Sequence, residues 1–368
     1  MKKMLLYIDK MYNGGAQRVM SNLAEYFYSK GVDVTVVNDF PPNTYVEEYF
    51  LPEKVKRVFL RGDLNGNKLV KNIERLAELR ITIQREKPDV VLSFLGRPNI
   101  RMLLATLGLP TKKIVSVRND PNKEYATGGV KKWFCRQLFR AADGCVFQTE
   151  DASLYFPKAV RIKSKIILNP VGETFYKTKR AEQTRDVITA GRLESQKNHA
   201  FLIDAFSTIC HEFPDDRLII YGEGSLRAEL QSQIKQLNLQ DIVILAGDTN
   251  KMNEKLAKAS IFVLSSNFEG LPNALMEAMA IGVPVISTDC PSGGPRALIQ
   301  DGKNGFLVEC NERIDLANKM RVLLSDEKMR QRFTEAEKAS ALSFRAQVIM
   351  KNWEEYIWGV CSTHKNVK

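Results

Sequence analysis

The chain has 368 residues, 44% hydrophobic and 26% charged, with a formal net charge of +11; this excludes a disordered chain, and the length favours two domains over one hydrophobic core. No run of eighteen or more apolar residues occurs, so no transmembrane helix is expected. Six scattered cysteines fit a reduced, cytoplasmic protein rather than a disulfide scaffold. The charge is lopsided: residues 1–180 hold 32 Lys+Arg against 18 Asp+Glu, a net +14, and residues 181–368 hold 22 against 25, a net −3. A basic half attracts phosphorylated substrate, anionic lipid or nucleic acid.

In chain order, KMLLYID (3–9) reads as a strand; its apolar part, residues 4–8, is too short for a signal peptide and no small-residue cleavage site follows. GGAQRVMSNLAEYFYSKG (14–31) is a helix, with Val19, Leu23 and Phe27 recurring every four residues and Gly31 ending it. VDVTVVN (32–38) is a second strand, and NKLVKNIERLAELRITIQREK (67–87) a long basic helix stopped by Pro88. DVVLSFL (89–95), KIVSV (113–117) and DGCVFQT (143–149) are short apolar strands. Such alternation argues for a parallel sheet with helices on both faces. A polar stretch over 168–186, carrying Pro170 and Gly172, reads as a linker.

The pattern then restarts. Strand RDVITAG (185–191), helix KNHAFLIDAFSTIC (197–210), strand DRLIIYGEG (216–224) and helix SLRAELQSQIKQLNL (225–239) lead to strands DIVILAG (241–247), ASIFVLSS (259–266) and VPVIS (283–287). In the last helical stretch, FRAQVIMKNWEEYIWGV, Val348, Trp353, Ile357 and Val360 form an apolar face that must pack somewhere. Two doubly wound α/β domains are expected, 1–170 and 171–343, followed by a terminal helix over 344–368.

Ligands of open α/β sheets bind beyond the carboxyl ends of the strands, and each candidate motif follows a strand. Gly14 and Gly15 open the first helix: either a close approach to a phosphate or an ordinary tight turn. The pattern G-x-G-x-x-G is absent, so a nicotinamide cofactor is not indicated. In TAGRLESQKN (189–198), Arg192 and Lys197 bring a guanidinium and an ammonium to a strand-to-helix junction, which suits a diphosphate. Two solvated surface charges are the alternative, weakened by Gly191 before the arginine. Gly222 and Gly224 form another glycine turn, lining a cleft or serving structure alone.

The stretch EGLPNALMEAMAIGVPVIS (269–287) places Glu269 in a loop after a strand and Glu277 in a short helix ended by Gly282. The helix amides near residues 271–274 can face an anion. A separation of a little over two turns would let both carboxylates reach one elongated ligand. Carboxylates accept hydrogen bonds from hydroxyl pairs, as ribose and hexose present them. The other reading, paired acids of a glycoside hydrolase, would not need the phosphate-like sites.

In order, Gly14-Gly15, Arg192 with Lys197, and Glu269 with seven residues before Glu277 resemble retaining glycosyltransferases of family 4. GRLESQKN, EGLPNALMEAMAIGVPVIST and DGKNGFLV (301–308) are the specific segments, and the resemblance covers nearly the whole chain. It implies the GT-B fold: two Rossmann-like domains facing across a cleft, the first binding the acceptor and the second a nucleotide sugar, with the final helix crossing back to the first. It implies transfer of a hexose or N-acetylhexosamine from a nucleotide sugar, UDP-linked on family grounds, with no cofactor. Arg192 and Lys197 would neutralise the leaving diphosphate, and Gly15 would approach it from the other domain. Glu277 would hold the ribose and Glu269 the donor sugar. Gly14, Gly191 and Gly247, and the amides of Gly270, Leu271 and Asn273, would complete the donor seat; Pro272 has no N–H to give.

Fixed cations and a helix start lower the barrier where negative charge develops. No His, Asp or Cys cluster has metal-ligand spacing and no D-x-D triplet appears, so no metal site and a metal-independent departure are expected. Many family members carry an acceptor-side histidine in the first domain, yet His199, His211 and His364 all lie outside it. The corresponding segment, IVSVRNDP (114–121), puts Arg118 or Asn119 in that place. Arginine cannot act as a general base, which leaves the diphosphate oxygen, in a front-side mechanism, or Asp120, which also reads as a turn residue before Pro121. The SVRND variant resembles members that build bacterial surface polysaccharides.

In GGVKKWFCRQLFRAADG (128–144), Trp133, Phe134, Leu138 and Phe139 stand among Lys131, Lys132, Arg136 and Arg140. This is either a basic helix with exposed aromatics on an anionic membrane or a core helix with a solvated face. The regional charge favours the membrane, implying a lipid-linked glycan acceptor and a cytoplasmic protein held peripherally at the inner face of the cell membrane. A soluble acceptor is the alternative. Nucleic acid is not expected as a partner, since no reader motif or aromatic platform is evident, and a non-catalytic sugar-nucleotide module is at odds with the intact donor set.

Overall fold

The computed structural model describes residues 2–12, 14–42, 47–60, 67–181 and 184–362. They fall into two compact units, Met1–Leu168 with Ile349–Lys368, and Asn169–Val348. His364 and the last six positions of the expected terminal helix lie outside the described residues, as do residues 182 and 183 of the expected linker.

The first unit is built on seven strands: β1 Lys3–Ile8, β2 Asp33–Asn38, β3 Lys56–Phe59, β4 Val90–Phe94, β5 Lys112–Ser116, β6 Gly144–Phe147 and β7 Ser164–Ile166. They run parallel in the order β3-β2-β1-β4-β5-β6-β7. Apolar runs such as MLLYI suit a parallel strand because both faces are covered. Leu6 and Ile8 pack into one core with Val19, Leu23 and Phe27 of helix α1 (Gly15–Ser29), while Leu5 and Tyr7 pack into another. That second core also takes Leu79 and Ile83 of α2 (Lys68–Glu86) and Met102 and Leu103 of α3 (Gly96–Ala105). Helix α2 ends before Pro88, with Lys87 in the left-handed region. The shorter helices are α4 Pro121–Glu124, α5 Gly129–Leu138, α6 Glu150–Leu154 and α7 Lys158–Arg161.

The second unit carries β8 Asp186–Ala190, β9 Arg217–Tyr221, β10 Val243–Gly247, β11 Ile261–Leu264, β12 Val285–Thr288 and β13 Phe306–Val308, parallel in the order β10-β9-β8-β11-β12-β13. Its helices are α8 Glu173–Lys177, α9 His199–Ser207, α10 Arg227–Gln236, α11 Met252–Lys258, α12 Asn273–Ile281, α13 Gly294–Leu298, α14 Arg313–Ser325 and α15 Glu327–Ala341. From β8 the chain moves outward one way through β9 and β10, then returns to the other side as β11. The crevice beyond the ends of β8 and β11 is therefore the topological switch point, where ligands of such sheets bind. Glu337 of α15 is fully buried and accepts a hydrogen bond from the Val285 amide, 2.9 Å, at the start of β12.

The last helix, α16 (Ala346–Ser362), packs on the first unit's sheet. Trp353 stacks on Phe94 with centroids 5.6 Å apart. The Tyr356 hydroxyl accepts from the Cys145 amide, 2.8 Å, and donates to the Lys163 carbonyl, 2.6 Å. A side chain at Gly144 would lie 2.6 Å from that hydroxyl, so this close fit requires glycine. Val348, expected on the buried face, is 43% exposed; Ile349 and Met350 are buried instead, beside Trp353 and Ile357.

Candidate functional site

At the switch point, the loop after β8 and the loop after β11 are stitched together. The Asn267 amide donates to the Gln196 carbonyl, 2.8 Å; Asn267 Nδ2 donates to the Ser195 carbonyl, 2.7 Å; and Ser265 Oγ donates to the Lys197 carbonyl, 3.0 Å. This framework brings Lys197 Nζ to 2.5 Å from Glu269 Oε1, with both side chains largely buried. Ser266 Oγ donates to the same carboxylate oxygen at 2.7 Å, and Gln196 Nε2 donates to the Phe268 carbonyl at 3.0 Å. Two residues expected in separate roles thus form one ion pair. Arg192 stays exposed, its Nη2 3.3 Å from Gln196 Oε1.

Glycines make this packing possible. A Cβ on Gly191 would meet Lys197 Cε at 2.9 Å, so Gly191 leaves room for the lysine stem. Gly222 and Gly224 would put a Cβ 2.1 Å from the Gly191 carbonyl oxygen and 2.4 Å from that of Leu193, so this turn presses backbone on backbone against the 191–193 loop. Of the two readings the sequence left for it, structural support is the one the contacts favour. Gly247, at φ +75°, sits where the β10 register shifts, its carbonyl accepting from the Gly222 amide at 2.9 Å. His199, buried beside Gly191 with Nε2 3.3 Å from its carbonyl, has its pKa lowered to about 4 chiefly by burial, and is a neutral strut.

Glu269 is held from a third side by the loop after β12. Its amide donates to the Pro291 carbonyl, 2.6 Å, and its carbonyl accepts from the Ser292 amide, 2.9 Å. A Cβ on Gly294 would fall 1.8 Å from the Gly270 carbonyl oxygen, so the two loops touch through backbone. Sequence reasoning missed Gln196, Ser266, Ser292 and Gly294; the one visible signal was PSGG (291–294) just after a strand. Helix α12 begins beyond Gly270 and Leu271, both buried. Its cap, Pro272, offers no side-chain acceptor, and first-turn amides have no intrahelical partner. Asn273 Oδ1 accepts from Asn169 Nδ2 at 2.8 Å, a contact the sequence did not suggest. Glu277 is buried one turn further along.

The remaining candidates belong to the first unit. Gly14, at φ +153°, precedes α1, which starts at Gly15; a Cβ on Gly14 would lie 2.4 Å from Gln17 Oε1. Arg118 follows β5, buried over the Phe94 ring at 4.9 Å. Burial lowers its guanidinium to about 9, opposed by Glu124, whose own carboxyl burial raises to about 8. The Asn119 side chain accepts from the Asp120 amide, 2.9 Å. Asp120 caps α4, its Oδ1 accepting from the Asn122 amide at 3.0 Å, which favours the turn reading. On α5, Trp133 and Phe134 are 62% and 46% exposed, but Leu138 is partly buried and Phe139, just past the helix end, is buried; only half of the expected apolar face points outward.

Comparison with known proteins agrees with this architecture. Residues 13–172 match Glycosyltransferase Family 4, and residues 172–340 match Glycosyl transferases group 1. A Campylobacter jejuni relative is 27% identical over 97% of this chain and 98% of its own; it is a GalNAc-alpha-(1->4)-GalNAc-alpha-(1->3)-diNAcBac-PP-undecaprenol alpha-1,4-N-acetyl-D-galactosaminyltransferase. The amylovoran biosynthesis glycosyltransferase AmsD of Erwinia amylovora is 25% identical over 97% of this chain and 100% of its own. Among solved structures, Anabaena HepE in complex with UDP and glucose superposes with a TM-score of 0.82 at 18% identity, covering 98% of this chain and 100% of that one.

Proposed function

Because the chain belongs to glycosyltransferase family 4, with the two Rossmann-like domains of the GT-B fold, we propose that it transfers a hexose or N-acetylhexosamine from a UDP-sugar, with retention, to a lipid-linked glycan during bacterial polysaccharide or glycoconjugate assembly. The observation that carries this reading is the Lys197–Glu269 pair at the β8/β11 switch point, beside the start of α12. Arg192, Lys197 and the first amides of α12 face the departing diphosphate, where a fixed positive field is worth most. Glu277 lies four residues into α12, about 6 Å along its axis at 1.5 Å per residue, a spacing that suits ribose next to diphosphate. Glu269 takes sugar hydroxyls. The undecaprenol-linked acceptor of the Campylobacter relative supports the acceptor class, AmsD supports polysaccharide assembly, and UDP bound to HepE supports the donor.

Arg118 remains a cation at neutral pH even with its lowered pKa, so it takes no proton from the acceptor. That role goes to the diphosphate oxygen as it leaves, the front-side course that retains configuration. Cations of the protein supply the charge stabilisation, so the reaction is metal-independent. The acceptor is reached at the membrane: α5 exposes Val130, Trp133 and Phe134 along with Lys131, and α2 exposes Leu69, Val70, Ile73 and Ile81. A screen of UDP- and GDP-sugars, scored by nucleotide release with and without EDTA and by the anomer of the product, tests the reading. Release only with a divalent metal, or an inverted anomer, overturns the mechanism; efficient transfer to soluble glycans alone overturns the acceptor.

A further inference from the structure

We propose that Arg118 and Glu124 hold between them a hydroxyl of the acceptor sugar, other than the one that is glycosylated. This rests on the acceptor reading above and gives it a named contact. Both residues follow β5, beyond its carboxyl end, where ligands of open parallel sheets bind. Arg118 is buried, its guanidinium over the Phe94 ring and its Nη1 3.5 Å from Ser116 Oγ. Glu124 ends the short helix α4, which Asp120 caps. A Cβ on Gly96 would lie 3.0 Å from the Glu124 carbonyl oxygen and 3.4 Å from Glu124 Cβ, so α4 is set closely against the start of α3.

The two side chains carry opposite charges that act on each other, yet no ion pair joins them. Among the described residues, Glu124 Oε2 is buried with no hydrogen-bond partner. A buried oxygen left so costs stability until something supplies its hydrogen bond. Glu124 as a residue stays partly exposed, so a ligand can reach the carboxyl. Leu95, next to Phe94, stands at φ 74° and ψ 158°, a region nearly reserved for glycine, and such strain collects where ligands bind. The charges select the ligand. Glu124 disfavours a phosphate and Arg118 an ammonium, whereas a neutral group that both accepts and donates suits the pair. Burial raises the Glu124 carboxyl to about 8, so acid and carboxylate are both present near neutral pH. A hydroxyl accepts from the acid or donates to the carboxylate; an amide N–H serves the carboxylate alone. This decides for a sugar hydroxyl over an acetamido N–H.

The test follows transfer by the full chain to undecaprenyl-diphosphate-linked N-acetylgalactosamine, N-acetylglucosamine, galactose and glucose, scored by UDP release. The best of these acceptors is then compared with its deoxy analogues, each lacking one hydroxyl that is not glycosylated. Glu124→Leu should raise the acceptor KM about tenfold or more, with a smaller fall in kcat, and Glu124→Gln, whose amide still donates and accepts, about threefold. One deoxy acceptor should cost the wild type a similar factor and cost Glu124→Leu almost nothing, because that hydroxyl has already lost its partner. A UDP-induced rise in melting temperature equal to that of the wild type shows that a variant is folded. If Glu124→Leu fails this control, Glu124→Gln carries the comparison, its smaller loss disappearing on the same deoxy acceptor. An unchanged acceptor KM, or a variant-to-wild-type ratio that is the same for every deoxy acceptor, makes Glu124 a structural acid; either overturns the contact and leaves the acceptor reading standing. No transfer by the wild type to any of the four acceptors overturns both.

Discussion

Glu269→Gln separates two duties that the Lys197–Glu269 pair combines. Glutamine keeps an acceptor for Ser266 Oγ and for Lys197, so the loop keeps its ties, but the negative charge is gone. A phosphate oxygen on the far side of the ammonium would lie about 2.8 Å from Nζ. Added to the 2.5 Å of the ion pair, this places it about 5 Å from the carboxylate. Two unit charges at that distance repel by about 3 kcal/mol at an effective dielectric near 20. Water reaches the site at the exposed Arg192, so about a third of this, ~1 kcal/mol, is the working figure. Removing the carboxylate charge should therefore tighten UDP about fivefold. Transfer should instead fall by about a hundredfold or more, because the oxocarbenium-like sugar loses its nearby carboxylate. Isothermal titration with UDP reads the first effect and nucleotide release the second. UDP binding that is unchanged or weaker, in a variant that melts like the wild type, would refute the placement of Lys197 between carboxylate and diphosphate.

Two glycines should fail differently. In Gly191→Ala the new methyl meets the flexible Lys197 stem, so stability should drop by only about 1 kcal/mol while a displaced ammonium cuts turnover up to about a hundredfold. In Gly294→Ala it meets the Gly270 backbone, and about 3 kcal/mol of overpacking should lower the melting temperature of this unit by about 6–12 °C. A scan of melting temperature alongside initial rates distinguishes the two. Burial raises Glu337 well above the ordinary carboxylate range. Its contribution to stability is therefore full below the unfolded pKa and lost as pH rises towards the folded one. Glu337→Gln, which cannot ionise, should melt like the wild type near pH 4 and increasingly above it as pH is raised; a constant difference across pH would refute the buried acid. Arg118→Lys should lower turnover about tenfold by losing the planar fork, whereas Asn119→Ala, which gives up one bond to the Asp120 amide, should change it by about twofold or less. Equal losses in turnover would mean that Asn119 shares the acceptor-side role.

The regular elements were legible because their periods are clean. Val19, Leu23 and Phe27 mark α1, and the apolar runs mark β1, β4 and β11 as strands buried on both faces. Others gave little signal. β3, Lys56–Phe59, is a partly exposed edge strand with two basic residues, and β7 is three half-buried residues; neither has an apolar run to announce it. Helix α3 begins Gly-Arg-Pro and buries the polar Asn99 and Arg101. Arg101 belongs there because both carboxylate oxygens of Asp39 accept from its Nη1 at 2.6 Å, beside a contact to the Tyr7 hydroxyl, and no reading along the chain shows that residue 39 faces residue 101. The C-terminal helix was misphased at Val348 for a similar reason: the buried stripe starts where the chain rejoins the first unit, at Ile349.

The same distinction between local and distant contacts explains what changed at the site. Residue types and order along 189–198 and 269–277 pointed to a charged ligand with hydroxyls, since each motif is contiguous and follows a strand. Their mutual geometry was not legible, because it depends on the order of strands in space. Only when β11 lies beside β8 does Lys197 meet Glu269, and only when β12 follows does Ser292 fix the Glu269 backbone. The glycines show the same limit. A glycine after a strand reads as room for a ligand, yet Gly222, Gly224 and Gly294 leave room for other backbone, and Gly191 for a lysine. These contacts hold Glu269 and Lys197 in register. Candidate binding residues are therefore named by their chemistry in the sequence, while the residues that position them, such as Gly191, Ser266 and Ser292, appear only through contacts in space.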